Sequence, residues 1–384
     1  MYIEDLFETT ITKPLVFDPS EGRRRLPHTM GLGEPTDWRD WRNPEDRVEL
    51  FLRYYKARRL CGDLDHTREI TAVADHHDMN FEERAWLSFL FGMTYKVPQA
   101  YTYWQAFPDF HRATVQDFED WNSENWSRTV YGTDARYNKG HFAKQTASIK
   151  KWLGGSTFEE KLGALTKSSS EDQNFWDVYN EIVSLYKYGR MTTWLACQGL
   201  WDLLRIPINI RSVLVEYGGN WSSYNGISYM MGRTDRLFER KGGHAIKGGY
   251  KPSKKDLQEG ADEIESLWKV METRFPDWEI DSFRLETALC QYKKLFTGVE
   301  YIGHAAGDAA QSLLKIQDRF PEFDYTPLKT SALSLPKCLA GRPRIKTYNT
   351  LFQRYGVLLF ENLAEEGGSN NTEALGIDLP KPLF

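Results

Sequence analysis

The stretch SFRLETALCQYKKLFTGVEYIGHAAGDAA, residues 282–310, gathers side chains able to move a proton. With Leu285, Leu289, Tyr292 and Phe296 as the buried stripe of a helix, Glu286, Cys290 and Lys293 form the stripe beside it, at i, i+4 and i+7. A turn at Thr297-Gly298 follows, then Tyr301, Gly303, His304 and Asp308. A carboxylate, a thiol, an imidazole and a second carboxylate on two neighbouring helices can supply a general base and its orienting partner. Glu286, Cys290, His304 and Asp308 are therefore the catalytic candidates, with Tyr301 next to them on the substrate side. The competing reading buries Cys290 as inert packing, pairs Glu286 with Lys293 or Lys294, and leaves His304 solvated at a helix start.

Three further stretches carry recognition chemistry. In LYKYGRMTTWLA, residues 185–196, one helix ends at Tyr188, the chain turns on Gly189, and a second helix restarts at Arg190. Glycine supplies the left-handed conformation such a turn needs, and the new helix start leaves amide donors free for a phosphate. Arg190 adds charge and Thr192 a hydroxyl; the competing reading is a plain helix corner packing Tyr188 and Trp194. In EYGGNWSSYNG, residues 216–226, Glu216 and Asn225 stand on a turn-rich loop, and an asparagine amide suits a pyrimidine edge. Asn225-Gly226 also reads as a hairpin turn. The nearby arginines, Arg211 and Arg233 among them, make an anion-binding surface. In VPQAYTYWQAFPDF, Tyr101, Tyr103 and Trp104 are too close in sequence to face one core together, so at least one ring is expected outward, as base-stacking or interface residues are. His76-His77 lacks matched ligand spacing, and no metal site is assigned.

The elements that must position these groups are mostly helical. PEDRVELFLRYYKARR places Val48, Phe51, Leu52 and Tyr55 on one face. Asn80–Glu83, Ser156–Glu159 and Ser170–Gln173 resemble capping boxes, and Ser253 is a further cap. Between Arg205 and Tyr250 the texture turns β-branched and glycine-rich, which predicts a short hairpin or irregular loop. The expected organisation is an N-terminal extension over 1–43, a helical catalytic domain over 44–320 with an irregular region at 205–252, and a C-terminal extension over 321–384, poorly ordered after about 365.

Composition sets the bounds. A chain of 384 residues with 41% apolar and 14% aromatic content has ample material for a core and rings to spare. The net charge of −5 argues against nonspecific coating of DNA yet allows a local basic cleft. Cys61, Cys197, Cys290 and Cys338 are too scattered for a zinc ribbon or a disulfide framework and read as reduced thiols. No apolar run reaches membrane-spanning length, and MYIEDLFETT lacks a secretory pattern, so a cytoplasmic protein with no membrane partner is expected.

Together, YGRMTTW, NWSSYNG, ETALCQYKKLF and YIGHAAGD resemble the amino acid:DNA transferase group of phage thymine-hypermodification enzymes, also called α-glutamyl/putrescinyl thymine pyrophosphorylases and regarded as relatives of the helical DNA glycosylases. The resemblance runs from Tyr54 to Phe320 through short, scattered motifs. It implies a mainly α, glycosylase-like fold with a helix-hairpin-helix-like element at Tyr188–Thr193, in which Lys187 replaces the first hairpin glycine. Where many glycosylases carry an aspartate after the next helix, Ile208-Asn209-Ile210 offers an amide, which puts glycosidic hydrolysis in doubt and makes Asn209 a base-side candidate. The implied substrate is DNA whose 5-hydroxymethyluracil has been pyrophosphorylated; the amine of a free amino acid, of glycine or glutamate type, displaces pyrophosphate in the host cytoplasm during infection. Such a step needs a base for the amine, cationic groups for the leaving charge, with a divalent ion such as magnesium as a further option, and a base taken out of the stack. Two alternatives stay open: a glycosylase, in which Asp202, Glu216 or Asp235 supplies the acid, and a non-catalytic helical protein that binds nucleic acid or protein.

Overall fold

Local chemistry sets where the helices begin. Asn80 and Glu83 satisfy each other's backbone amides at 3.1 and 3.0 Å, and Ser253 with Asp256 does the same. The box expected at Ser156–Glu159 forms one residue later, between Thr157 and Glu160. Ser170 accepts from the Gln173 amide at 3.3 Å.

The computed structural model describes residues 44–60, 63–65, 67–211, 221–238, 240–241, 244–245, 249–296 and 304–333. In chain order their helices are α1 (Arg47–Leu60), α2 (Arg68–His76), α3 (Phe81–Thr94), α4 (Val97–Ala106), α5 (Val115–Asn125), α6 (Phe142–Leu153), α7 (Phe158–Leu165), α8 (Glu171–Val183), α9 (Arg190–Leu204), α10 (Trp221–Met230), α11 (Lys254–Arg274), α12 (Ser282–Phe296), α13 (His304–Arg319) and α14 (Thr326–Leu333). The strand content among these residues is one antiparallel pair, Arg240–Lys241 (β1) with His244–Ala245 (β2). The fold is mainly α, as expected. The irregular texture of 205–252 differs from the structure in one place: WSSYNG lies in helix α10, and the antiparallel pair lies further on, at Arg240–Lys241 and His244–Ala245.

The described chain divides into two units. The unit holding 65–210 and 306–333 is built around α3 and α9. Every residue of α3 from Ala85 to Thr94 is buried, so beyond its charged first turn this helix is covered all round and central rather than amphipathic. It touches α9 closely because a Cβ at Gly92 would stand 2.6 Å from the Thr192 carbonyl oxygen, and one at Gly199 would stand 2.8 Å from Ser88 Cβ.

The unit holding 44–64 and 211–305 is organised by α12. Asp281, buried, starts that helix by accepting from the Arg284 amide at 2.7 Å, and its second oxygen takes the Arg284 guanidinium at 2.9 Å. On one side α12 rests on α1: the Tyr292 ring lies 5.2 Å from Phe51 and 5.1 Å from Tyr54, and Gln291 accepts from the fully buried Arg58, which also pairs with Asp63 at 3.3 Å. Its other side meets α10.

Candidate active site

The contact between α10 and α12 depends on Gly226. A Cβ there would lie 2.0 Å from the Leu289 carbonyl oxygen, so no other residue lets the two backbones come this close. The asparagine-glycine pair is thus not a hairpin turn. Glycine is needed for the approach, and Asn225 spends both ends of its amide on the Phe238 backbone, donating at 2.9 Å and accepting at 2.8 Å. That use leaves no amide edge for a base, so the expected reading role of Asn225 is replaced by a structural one. Trp221 stacks on Phe238 at 4.3 Å beside it.

With the helices at this spacing, two adjacent serines of the first turn of α10 reach the polar stripe of α12. The Ser223 hydroxyl donates to Glu286 Oε1 at 3.2 Å, with Ser223 fully buried and Glu286 only 6% exposed. Ser222 accepts from Lys293 Nζ at 2.7 Å and lies close enough to the Cys290 thiol to act on its titration. Burial, then the Glu286 carboxylate, push the half-buried Cys290 thiol up; Lys293, Lys294 and Ser222 pull it down by less. The sequence stripe Glu286, Cys290, Lys293 is therefore real, and the part missing from the sequence reading was its partner, Ser222-Ser223. Their spacing to Gly226, at i+4 and i+3, is the small-residue pattern of a close helix contact.

The arginines expected to bind anions are occupied. Arg233 pairs with Glu263 and, at 3.7 Å, with Glu259 of α11; Arg236 reaches Glu259 at 3.2 Å and Asp256 at 3.4 Å. Arg211 donates to Glu272 at 2.9 Å and lies over the Trp268 ring. Net positive charge at these positions is cancelled by the acids of α11, which is a correction to their anion-binding assignment. His304 and Asp308 open helix α13, but their side chains lie outside the described ones, as do Glu216 and Tyr301 entirely. Among the described residues, no three His, Cys, Asp or Glu side chains gather as a metal site.

Comparison with known proteins decides the family. The amino acid:DNA transferase family model matches residues 60–300, well over half of the chain. The chain belongs to the amino acid:DNA transferase family. The serinyltransferase of Salmonella phage ViI is 23% identical over 336 residues, covering 80% of each chain. No solved structure matches the chain. As a member of this family the protein is a transferase whose substrates are DNA and an amino acid.

The remaining candidates of this transferase lie in the other unit. Helix α8 ends at Val183 rather than Tyr188, and the left-handed residue of the turn is Lys187, at φ +61°, the position where the resemblance places a glycine. Gly189 is extended (φ −72°) and is the N-cap of α9; the exposed Tyr137 hydroxyl sits 3.3 Å from where its Cβ would be. Lys187, Gly189 and Arg190 are exposed, as a backbone grip requires. Thr192 is not available: it is buried, with its hydroxyl on Tyr137 at 3.0 Å and Asn138 at 3.3 Å. Exposed Tyr186 meets His141 at 3.3 Å, and that imidazole is lowered by burial, then by Lys187 and Lys144. No acid occurs between Asp134 and Glu159 or between Glu181 and Asp202, so these two stretches carry only basic charges in a chain of net charge −5.

Tyr101, Tyr103 and Trp104 all turn inward, at 0, 1 and 7% exposure. The expectation of an outward ring fails because α4 is covered on several sides: Tyr101 meets His77 and Tyr325, while Tyr103 stacks on Phe142 at 3.9 Å and bonds Tyr131 at 2.8 Å. Tyr101 and Trp104 are core residues in this structure. Asn209 is half-buried in the segment after α9, and Asp202 accepts from Thr67.

Proposed function

We infer that the protein transfers the amine of a free amino acid to a pyrophosphorylated 5-hydroxymethyluracil in phage DNA, in the host cytoplasm, with pyrophosphate as the leaving group. The observation that carries this reading, within the family, is the buried Glu286 carboxylate held by Ser223 in the seam between α10 and α12. A neutral amine nitrogen forms the new bond to the exocyclic methylene carbon, the carbon–oxygen bond breaks, and its electron pair leaves on pyrophosphate. Glu286 accepts the proton the amine gives up. Cys290 lines the seam as a neutral thiol rather than a nucleophile.

Within their own unit, Lys187, Gly189 and Arg190 are the phosphate-contact residues of this reading, supported by their exposure, by the acid-free stretches 135–158 and 182–201, and by the exposed Tyr137 and Tyr186. The target base leaves the stack to reach the carboxylate. For the amino acid, the name of the phage ViI relative adds serine to glycine and glutamate.

The test is mass spectrometry of nucleosides from pyrophosphorylated 5-hydroxymethyluracil DNA, incubated with the protein and isotopically labelled amino acids. A labelled aminomethyl-uridine adduct with released pyrophosphate is expected, and the label names the amino acid. Abasic sites in place of an adduct overturn the reading in favour of a glycosylase.

A further inference from the structure

Lys293 differs from Arg211, Arg233 and Arg236, each of which meets a carboxylate of α11. It is half-buried, its Nζ donates to a neutral hydroxyl, Ser222 Oγ at 2.7 Å, and among the described residues it has no carboxylate partner. An ammonium has three donors, so among the described residues the serine leaves two without a protein acceptor. Holding such a charge partly out of water is costly without a counter-ion, and the charge therefore favours an anion from solution.

The second charge of the seam is Glu286. Ser222 and Ser223 are consecutive, about 3.8 Å apart at Cα, and each tethers one end: Ser222 the Lys293 ammonium at 2.7 Å, Ser223 the Glu286 carboxylate at 3.2 Å. The stripe thus presents a fixed negative group and a fixed positive group along one side of α12, with the weakly polar Cys290 between them in sequence. A free α-amino acid carries the complementary pair, an ammonium and a carboxylate a few ångströms apart.

We propose that Glu286 and Lys293 form a clamp for the zwitterion of the free amino acid, with its amine at Glu286 and its α-carboxylate at Lys293, and with Ser222 as the residue that positions Lys293. This rests on the transferase reading for its purpose and on the seam alone for its geometry. It places the carboxylate partner on a lysine rather than an arginine, and it makes binding depend on both groups of the ligand. Anionic oxygens also occur on pyrophosphate, which is the competing occupant of Lys293.

Calorimetric titration separates these. Glycine, serine and glutamate are titrated into the full-length protein, together with methylamine, ethanolamine and γ-aminobutyrate, which lack the α-carboxylate, and with inorganic pyrophosphate. One of the amino acids is expected to bind, and its decarboxylated counterpart to bind at least about tenfold more weakly. Lys293→Gln should lose at least about tenfold in amino-acid affinity while leaving pyrophosphate affinity unchanged, and Lys293→Arg should restore much of the loss. Ser222→Ala should show a smaller loss that Ser222→Thr reverses, which a simple packing role for the serine does not produce. Thermal melts confirm that each variant is folded. Equal amino-acid affinity in folded Lys293→Gln, loss of pyrophosphate binding instead, or no binding by any of the three amino acids overturns the clamp. Amino-acid binding that depends on Lys293 in a protein that never forms a DNA adduct would leave the clamp standing and remove the transferase reading.

Discussion

Two helix pairs in this protein close at glycine, and they put the close approach to different uses. Between α3 and α9, Gly92 and Gly199 bring the backbones together, and the polar atoms at the crossing turn back to nearby groups: Ser88 Oγ donates to the Arg84 carbonyl of its own helix at 2.8 Å. Between α10 and α12, Gly226 does the same work, but Ser222 and Ser223 reach across to ionisable groups of the facing helix. The first arrangement satisfies polar groups locally and seals a core. The second keeps a carboxylate, a thiol and an ammonium together at a depth where unpaired polar groups cost stability, as the proposed reaction centre requires.

The largest expected effect breaks both crossings in turn. Gly226→Ala forces a Cβ onto the Leu289 carbonyl, and a loss of about 3 kcal/mol in urea denaturation is expected, together with loss of transfer activity. Gly199→Ala should cost about 2 kcal/mol by pressing on Ser88, yet leave turnover per folded molecule unchanged. Equal loss of turnover in the two folded variants would erase the distinction between seam and core.

Next comes the thiol within the seam. Its raised pKa keeps Cys290 protonated through neutral pH, so alkylation by iodoacetamide should be slower at pH 7.5 than that of a free cysteine and should accelerate as pH rises. Cys290→Ala should change turnover less than about threefold. Rapid alkylation at neutral pH with complete loss of activity would instead make the thiol a nucleophile.

The smallest effect concerns the cap of α11, whose acids neutralise Arg233 and Arg236. Hydrogen bonds first from the Ser253 hydroxyl and then from Tyr250 hold Asp256 down to about 2. Because the folded value lies below that of the unfolded chain, this stabilisation is complete above about pH 4 and is lost as pH falls toward 2. Asp256→Asn should cost about 1 kcal/mol at pH 7 and flatten the acid limb of a thermal-stability profile; an unchanged limb would assign acid sensitivity elsewhere.

The elements legible in the sequence were those whose cause is local. Asn80–Glu83 and Ser253 mark helix starts because a cap and its amide lie three residues apart, and the Glu286 stripe shows because helical period is local too. Helix α10 was hidden, since Trp-Ser-Ser-Tyr-Asn-Gly has turn-like residues whose real reasons are tertiary: Gly226 answers to Leu289 and Asn225 to the Phe238 backbone. For the same reason Arg211 and Arg233 read as anion sites until the acids of α11 are seen against them, and Tyr101 and Trp104 read as surface rings until the elements covering α4 are in place. Lys187 shows the reverse case, a residue type that disguises a left-handed position.

The central claim is that the seam between α10 and α12 is the reaction centre, and Glu286→Gln tests it most directly because the amide keeps the shape and can still accept from Ser223 while losing the capacity to take a proton. Adduct formation on pyrophosphorylated 5-hydroxymethyluracil DNA should fall by about 10²-fold or more in kcat, with DNA affinity and melting temperature close to those of the parent. Full activity in the folded variant would remove Glu286 from the base role and move the reaction centre away from this seam.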